Sequence, residues 1–339
     1  MSKTETIATP NQYRSILNLT ETEIAIRDIK QYFEKSFSKS LNLMEVSAPL
    51  VLSEGTGIND NLNGVERAVS FDALDIKHSQ MEIVQSLAKW KRMALKKYGL
   101  TNGEGIYTKM NAVRRDEILD NLHSMQVDQW DWEKVISKEQ RNQDTLKKEV
   151  NKIYATIKAT ESHIHQLNPM LEPVLPEDIY FTSTLELETM YPQLTPSQRE
   201  DIITKEHGAV FIMQIGGALR SGQKHDGRSP DYDDWTLNGD IIVWNPFLDR
   251  SFEISSMGIR VDEEALLRQL KLANNEERLR LTYHQAILNG DLPYTIGGGI
   301  GQSRLCMFLL KKAHIGEVQA SVWNTQILKE CEENNIPLL

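Results

Sequence analysis

The sequence predicts an α+β fold in which an antiparallel sheet is flanked by helices. Gly105–Glu117 and Met125–Glu133 read as the two strands of a long hairpin, joined by a loop over Asp116–Ser124. Gly239–Trp244 and Ser251–Arg260 read as a second antiparallel pair. Near the C-terminus, Thr295-Ile-Gly-Gly-Gly-Ile-Gly301 places glycine at 297, 299 and 301, and Leu305, Phe308 and Leu309 then follow at helical spacing. A strand with glycine at alternate positions leaves one face bare, so a flat ligand can lie on its backbone. Arg304 falls on the first turn of the helix that follows, where a guanidinium can stack on a planar ring or fork onto a phosphate or carboxylate.

Composition narrows the function classes. The 339 residues are 40% hydrophobic and 25% charged, as in a globular protein. No apolar run approaches the roughly 20 residues of a membrane span, and the N-terminus has no apolar core of a signal peptide. The net charge of −10 argues against a nucleic-acid partner, which needs a basic footprint. Cys306 and Cys331 form no metal-spaced pair, which suits a reduced, cytoplasmic setting.

Taken in order, Met1–Asn18 reads as a loose leader and 19–339 as one catalytic domain. Thr20 and Glu23 form a capping-box pattern ahead of Ile26, Ile29, Phe33 and Phe37, which predicts an amphipathic helix over Glu21–Leu41. A strand over Leu43–Leu52 follows; Pro49 cannot donate to a ladder, so this strand belongs at an edge or interface. Ser53–Gly64 is a polar, Gly-rich loop in which Asp60 could hold an ammonium group. Val65–Leu74 reads as a short strand and Gln80–Tyr98 as a helix closed by Gly99, with Lys91 the residue on it placed near a carboxylate. On the return strand of the hairpin, Val127, Gln129 and Asp131 alternate with Asp128, Trp130 and Trp132, so neither side is purely apolar and a ligand-lined face is implied. Lys138–Gln166 is a long polar helix in an outer layer, Asp178–Ser183 a strand, Pro196–His207 a helix stopped by Gly208, and Ala209–Gly217 a buried strand. The loop from Ser221 to Trp235 is rich in acids and suits a cation or polar substrate. Asp240 and Glu253 stand on adjacent strands, where two facing carboxylates repel unless a cation bridges them. Glu263–Asn275 and Glu276–Asn289 complete the helices.

These pieces resemble the class II aminoacyl-tRNA synthetases. The Gly-x-Gly-x-Gly-x-x-Arg stretch at 297–304 is similar to that family's third signature, the adenine side of its ATP site. The helix leading into the Pro49 strand resembles the first, which forms a homodimer interface. Arg114 with Glu117 resembles the second, in which the arginine grips the α-phosphate and the acid reads the adenine amino group; Arg115 with Glu117, or Arg114 with Asp116, fits the spacing equally. Ser255-Ser-Met-Gly-Ile-Arg260, Pro230-Asp-Tyr-Asp-Asp-Trp235 and Val127-Asp-Gln-Trp-Asp-Trp132 look like the ammonia-dependent asparagine synthetases, a small homodimeric branch of that fold.

That resemblance implies a ligase that takes L-aspartate, ATP and ammonia. ATP turns the aspartate side-chain carboxylate into an acyl-adenylate, and ammonia displaces AMP. Arg114 and Mg²⁺ would stabilise the charge developing on the α-phosphate. Arg304 would stack on adenine over Gly299 and Gly301, with Ser256 beside the nucleotide, and Asp240 and Glu253 would carry the metal. Arg228 and Arg260 are candidates for the departing diphosphate. Asp60, Lys91, Gln129, Asp131 and Asp233 are implied around the aspartate, with Ser124 a further candidate and Arg304 within reach. Asp60 and Asp131 are the acids that could draw ammonium in and take its proton. No cysteine suits a glutaminase site, so free ammonia is the expected nitrogen donor. The rival expectations are an aspartyl- or asparaginyl-tRNA synthetase, which places an anticodon-binding domain before the first signature, and a silent paralogue that only binds.

Overall fold

The computed structural model describes residues 13–59, 62 and 66–339. Its first helix, α1 (Leu19–Leu41), starts two residues earlier than the sequence pattern suggests. The cap is Asn18, which accepts from the Glu21 backbone N–H while the Glu21 carboxylate reaches back to Asn18, so the capping box lies two residues upstream of the expected one. The segment before it, where described, is no loose leader. Tyr13 and Leu17 are buried in the core, and the Tyr13 hydroxyl donates to the Glu317 carboxylate at 2.7 Å.

After β1 (Leu43–Glu45) the expected strand breaks at Pro49, and β2 (Val51–Ser53) joins a separate small sheet with β3 (Ser70–Ala73) and β4 (Ile76–Ile83) in the order β2-β4-β3. Here the sequence reading fails. Gln80–Ile83 carries helical spacing but pairs as strand with Val51–Ser53, so the helix α2 (Ala88–Tyr98) begins eight residues later than expected. Its end is as expected, with Gly99 in the left-handed region at φ 67°.

The hairpin forms from β5 (Gly105–Val113) and β6 (Gln126–Val135). Then come α3 (Gln143–Leu167), β7 (Tyr180–Ser183), α4 (Thr184–Met190), α5 (Pro196–His207), β8 (Ala209–Met213), β9 (Asp233–Asn245), β10 (Arg250–Arg260), α6 (Glu263–Leu272), α7 (Thr282–Leu288), β11 (Thr295–Gly301), α8 (Gln302–Leu309) and α9 (Thr325–Glu333). The large sheet runs β1-β5-β6-β11-β10-β9-β8-β7. It is antiparallel except at its two edges, where β1 pairs β5 and β7 pairs β8 in parallel.

The pleat sorts side chains to two faces. Trp130, Trp132, Met257, Ile259, Ile241 and Val243 go to one side and form a core with α1, α3 and α8. Phe33 of α1 packs on Trp130 with ring centroids 4.5 Å apart. The opposite face of the central strands carries charge and glycine, and it builds the site.

Candidate active site

Three strands at the middle of the sheet supply the floor. β11 lies between β6 and β10, with Gly301 opposite Gln129, Gly299 opposite Asp131, and Gly297 opposite Glu133. On its other side Gly299 faces Ser256 and Gly297 faces Gly258, and Ser256 in turn faces Asp240 of β9. Directly opposed residues share a face, so Gln129, Asp131, Glu133, Ser256 and Asp240 all surround the glycine strand. The glycines do more than leave a bare face. A Cβ at Gly297 would collide with the Glu133 carboxylate and come within 2.7 Å of the Arg260 guanidinium, and one at Gly299 would collide with the Gln129 amide. At Gly301 the added carbon would lie 3.1 Å from Arg304 Cβ. Part of the cleared space is filled by the protein's own polar side chains.

Above this floor is a cavity of about 380 Å³. Arg114 and Glu117, from the end of β5, line it on one side, and Gly299, Gly301 and Arg304 line it on another. Gln129, Ser124, Ser256, Glu253 and Arg228 complete the polar wall. Arg114 Nη1 lies 3.7 Å from Glu117 Oε2, and its buried Nε has no hydrogen-bond partner among the described residues. Asp116 turns away to an exposed pair with Arg67, so Arg114 with Glu117 is the arrangement that meets the cavity. Arg304 is held in place: Nη1 donates to the Glu253 carbonyl at 3.1 Å, and Nη2 donates to His123 Nε2 at 2.8 Å. His123 therefore carries its proton on Nδ1 and gives it to Asp120 at 2.9 Å.

Behind the cavity wall lies a second layer of buried charge. Lys91, 1% exposed, donates to the Asp131 carboxylate and, at 3.0 Å, to the Gly298 carbonyl. Burial pulls the Lys91 ammonium down from its ordinary pKa, against the pull of Asp131. Arg260, 2% exposed, is clamped by Glu133 at 2.7 Å and by Asp233. Burial alone would raise the Glu133 carboxyl, but Arg260 and Lys91 more than offset it and hold the group below its ordinary range. Asp131 Oδ2 has no partner among the described residues. A ligand bearing both a carboxylate and an ammonium could exchange partners with such a set, because it brings one charge of each sign to the buried cations and acids.

A profile of the aspartate–ammonia ligase family matches residues 20–335. The aspartate–ammonia ligase of Clostridium perfringens (strain SM101) is 60% identical over 335 residues, 99% of this chain and 100% of that protein. The chain belongs to the aspartate–ammonia ligase family. The enzyme of that name from Pediococcus pentosaceus is 56% identical, over 97% of this chain and 98% of its own. Among solved structures, asparaginyl-tRNA synthetase from Pyrococcus horikoshii complexed with asparaginyl-adenylate superposes with a TM-score of 0.64 at 16% identity, over 89% of this chain and 70% of that one. Aspartyl-tRNA synthetase from Entamoeba histolytica gives 0.60 at 17% identity, over 90% and 59%. These show the fold, that of the class II aminoacyl-tRNA synthetases.

With the family known, the residues singled out by sequence sort cleanly. Arg114, Glu117, Ser124, Gln129, Arg228, Glu253, Ser256, Gly299, Gly301 and Arg304 line one cavity. Lys91, Asp131, Asp233, Asp240 and Arg260 are buried outside its lining. Arg260, expected to be a candidate for the departing diphosphate, is committed to Glu133 and Asp233 in the floor. Asp60 lies outside the described residues. Asp240 is covered by Arg228, whose Nη2 donates to its Oδ2, while Oδ1 is buried without a partner among the described residues. Burial pushes the Asp240 carboxyl up to about 7; Arg228 opposes the rise and Glu253 adds to it.

Sequence reasoning missed His123, Asp128 and Asp231. Asp128 accepts from the Ser303 backbone at 3.0 Å and hydroxyl at 2.8 Å, tying β6 to the start of α8. Asp231 is fully buried and accepts from Lys89 at 2.8 Å, His284 at 2.9 Å and Arg278 at 3.1 Å, which fastens the acid-rich loop to α2 and α7. Its partners lie 142, 53 and 47 residues away in sequence, too far for any local pattern to show them. Cys331 is buried in α9 and Cys306 in α8. Burial raises both thiols, Cys306 to about 12 and Cys331 to about 11, so neither is an available nucleophile.

Proposed function

We propose that this protein makes L-asparagine from L-aspartate, ammonia and ATP through a β-aspartyl-adenylate, releasing AMP and diphosphate. Hydroxide is a poor leaving group, so the carboxylate needs activation. An oxygen of the side-chain carboxylate attacks the α-phosphorus and diphosphate departs. Ammonia then attacks the acyl carbon, loses a proton, and AMP leaves carrying that oxygen. Arg114, whose Nε has no partner among the described residues, is placed to meet the charge that grows on the α-phosphate, and removing such a contact costs about 3–4 kcal/mol of barrier. Glu117 would accept from the adenine amino group, and Arg304, fixed by His123, would stack on the ring over Gly299 and Gly301, with Ser256 beside them. Arg228 would take the phosphates that leave. Gln129 and Ser124 face the cavity where the reacting carboxylate would sit, and Lys91, Asp131 and Asp233 lie beneath it. We place Arg260 in this aspartate set because it shares the floor with Asp233.

Mg²⁺ suits Asp240 and Glu253. The buried Asp240 Oδ1, without a partner among the described residues, and the neighbouring Glu253, 44% exposed, are hard oxygen donors on one side of the sheet, and a divalent cation would offset their repulsion. Such an ion would neutralise charge on the nucleotide phosphates. Ammonia is favoured over glutamine as donor because both thiols are buried. A cytoplasmic location is in keeping with those free thiols, and no helix among the described residues is long and apolar enough to cross a membrane. A homodimer is supported by exposed Met44, Leu50 and Val51 beside the edge strand that follows α1.

The observation that carries the reading is the meeting of Arg114 and Glu117 with the glycine strand and Arg304 in one cavity. Purified protein given ATP, Mg²⁺, aspartate and ammonium should form AMP and asparagine in equal amounts without tRNA. Turnover that requires tRNA, or none at all, contradicts the proposal.

A further inference from the structure

Arg228 occupies an unusual position for a residue at the edge of a nucleotide cavity. Its side chain is only 11% exposed, and it donates to both Asp240 and Asp226, the latter at 2.6 Å, and to the Gly227 carbonyl at 2.8 Å. Asp240 thus already has a cation on one oxygen, while the other is buried with no partner among the described residues. The turn that carries Arg228 is fastened on both sides, by Ser229, which donates to the buried Asp231 at 2.8 Å, and by the buried His225, 2.9 Å from Glu200, while Asp226 between them is 60% exposed. With a guanidinium on one oxygen of the carboxylate, a divalent ion on the other meets a second positive charge close by, so Arg228 weakens the site for a metal.

We propose that Arg228 is an internal counter-ion that occupies Asp240 until a nucleotide arrives, and that its transfer to the nucleotide phosphates opens Asp240 to the divalent cation. The exchange rests on the proposed function, since it needs a phosphate-bearing ligand in this cavity. Arginine binds phosphate oxygens in the same forked geometry it uses for a carboxylate, so the guanidinium trades one anion for another while the freed carboxylate gains the metal. Metal affinity then depends on the nucleotide, and by linkage nucleotide affinity depends equally on the metal. The protein alone would hold the metal poorly and so avoid trapping it in a cavity without substrate.

The test uses Mn²⁺ as the probe, followed by loss of the free-ion electron paramagnetic resonance signal, with no nucleotide present. Arg228→Met should bind Mn²⁺ at least tenfold more tightly than the wild type, and the added Asp240→Asn change should abolish that gain. Arg220→Met, an equal charge loss at an exposed site, should leave the affinity unchanged. Equal Mn²⁺ affinity in wild type and Arg228→Met overturns the proposal, as does a gain of the same size from Arg220→Met. Arg228→Gln serves if the methionine variant does not fold. A second measurement needs only the wild type. Under EDTA, with ATP binding followed by calorimetry, hydrogen exchange across residues 226–229 should change when ATP binds. Binding without that change overturns the exchange. Absence of ATP binding with or without metal contradicts the proposed function instead, and the Mn²⁺ comparison still decides the role of Arg228.

Discussion

Single residues carry the chemistry, and their legibility in the sequence depends on whether their reason is local. The glycines at 297, 299 and 301 and Arg304 announce themselves, because alternate glycine followed by helical spacing has few other uses. Arg114 and Glu117 were legible only as one of three spacings; Asp116 turns out to Arg67 and Arg115 does not line the cavity, while Arg114 and Glu117 do. Arg260 read as a phosphate ligand because a strand-end arginine gives no sign of which acids will meet it; Glu133 and Asp233 reach it from 127 and 27 residues away. Two outcomes follow at this scale. Arg114→Gln should lower kcat by about 10²–10³-fold, with the melting temperature little changed, as expected for a contact made at the developing charge. Gly299→Ala should push the Gln129 amide from its place, and steady-state kinetics should show a raised KM for aspartate together with a lowered kcat.

At the scale of the element, strand β6 divides its two faces between structure and function. Trp130 and Trp132 anchor it in the core, and the residues between and beside them serve the site. Trp130→Ala should cost about 3–5 kcal/mol of stability, read from the denaturant midpoint. The loop before β9 is fastened by Asp231. Burial alone would raise this carboxyl, but Lys89 and His284 reverse that and hold it well below its ordinary value of 3.8. A depressed carboxylate contributes stability in full above its unfolded pKa, and that contribution fades as pH falls toward the folded value. Asp231→Asn should therefore cost about 3–5 kcal/mol at neutral pH, because it leaves buried cations unpaired. The gap to wild type should narrow as melting is followed below about pH 4. Element boundaries were legible where the signal is a cap, as at Gly99 or Pro196–His207, and were misread where pairing overrides it, as when Gln80–Ile83 becomes strand.

On the scale of the whole molecule, the site is assembled from segments remote in sequence. Arg114 and Glu117 come from one hairpin, Asp240 and Glu253 from a second, and the glycine strand with Arg304 from β11 and α8. The sheet order β5-β6-β11-β10-β9 brings them together, with β11 inserted between two hairpins that precede it in the chain. The α+β class and the presence of both hairpins were legible because strands that follow one another directly in the chain pair locally. The insertion of β11 between them, and the parallel edge strands, are long-range pairings that periodicity does not encode.

The central claim is that the aspartate side chain is activated by joining it to AMP. Aspartate labelled with ¹⁸O in its side-chain carboxylate, turned over with ATP, Mg²⁺ and ammonium, tests it most directly. Mass spectrometry should find one ¹⁸O in each AMP formed and none in diphosphate. Label in diphosphate or orthophosphate, or unlabelled AMP beside labelled asparagine, would contradict the account.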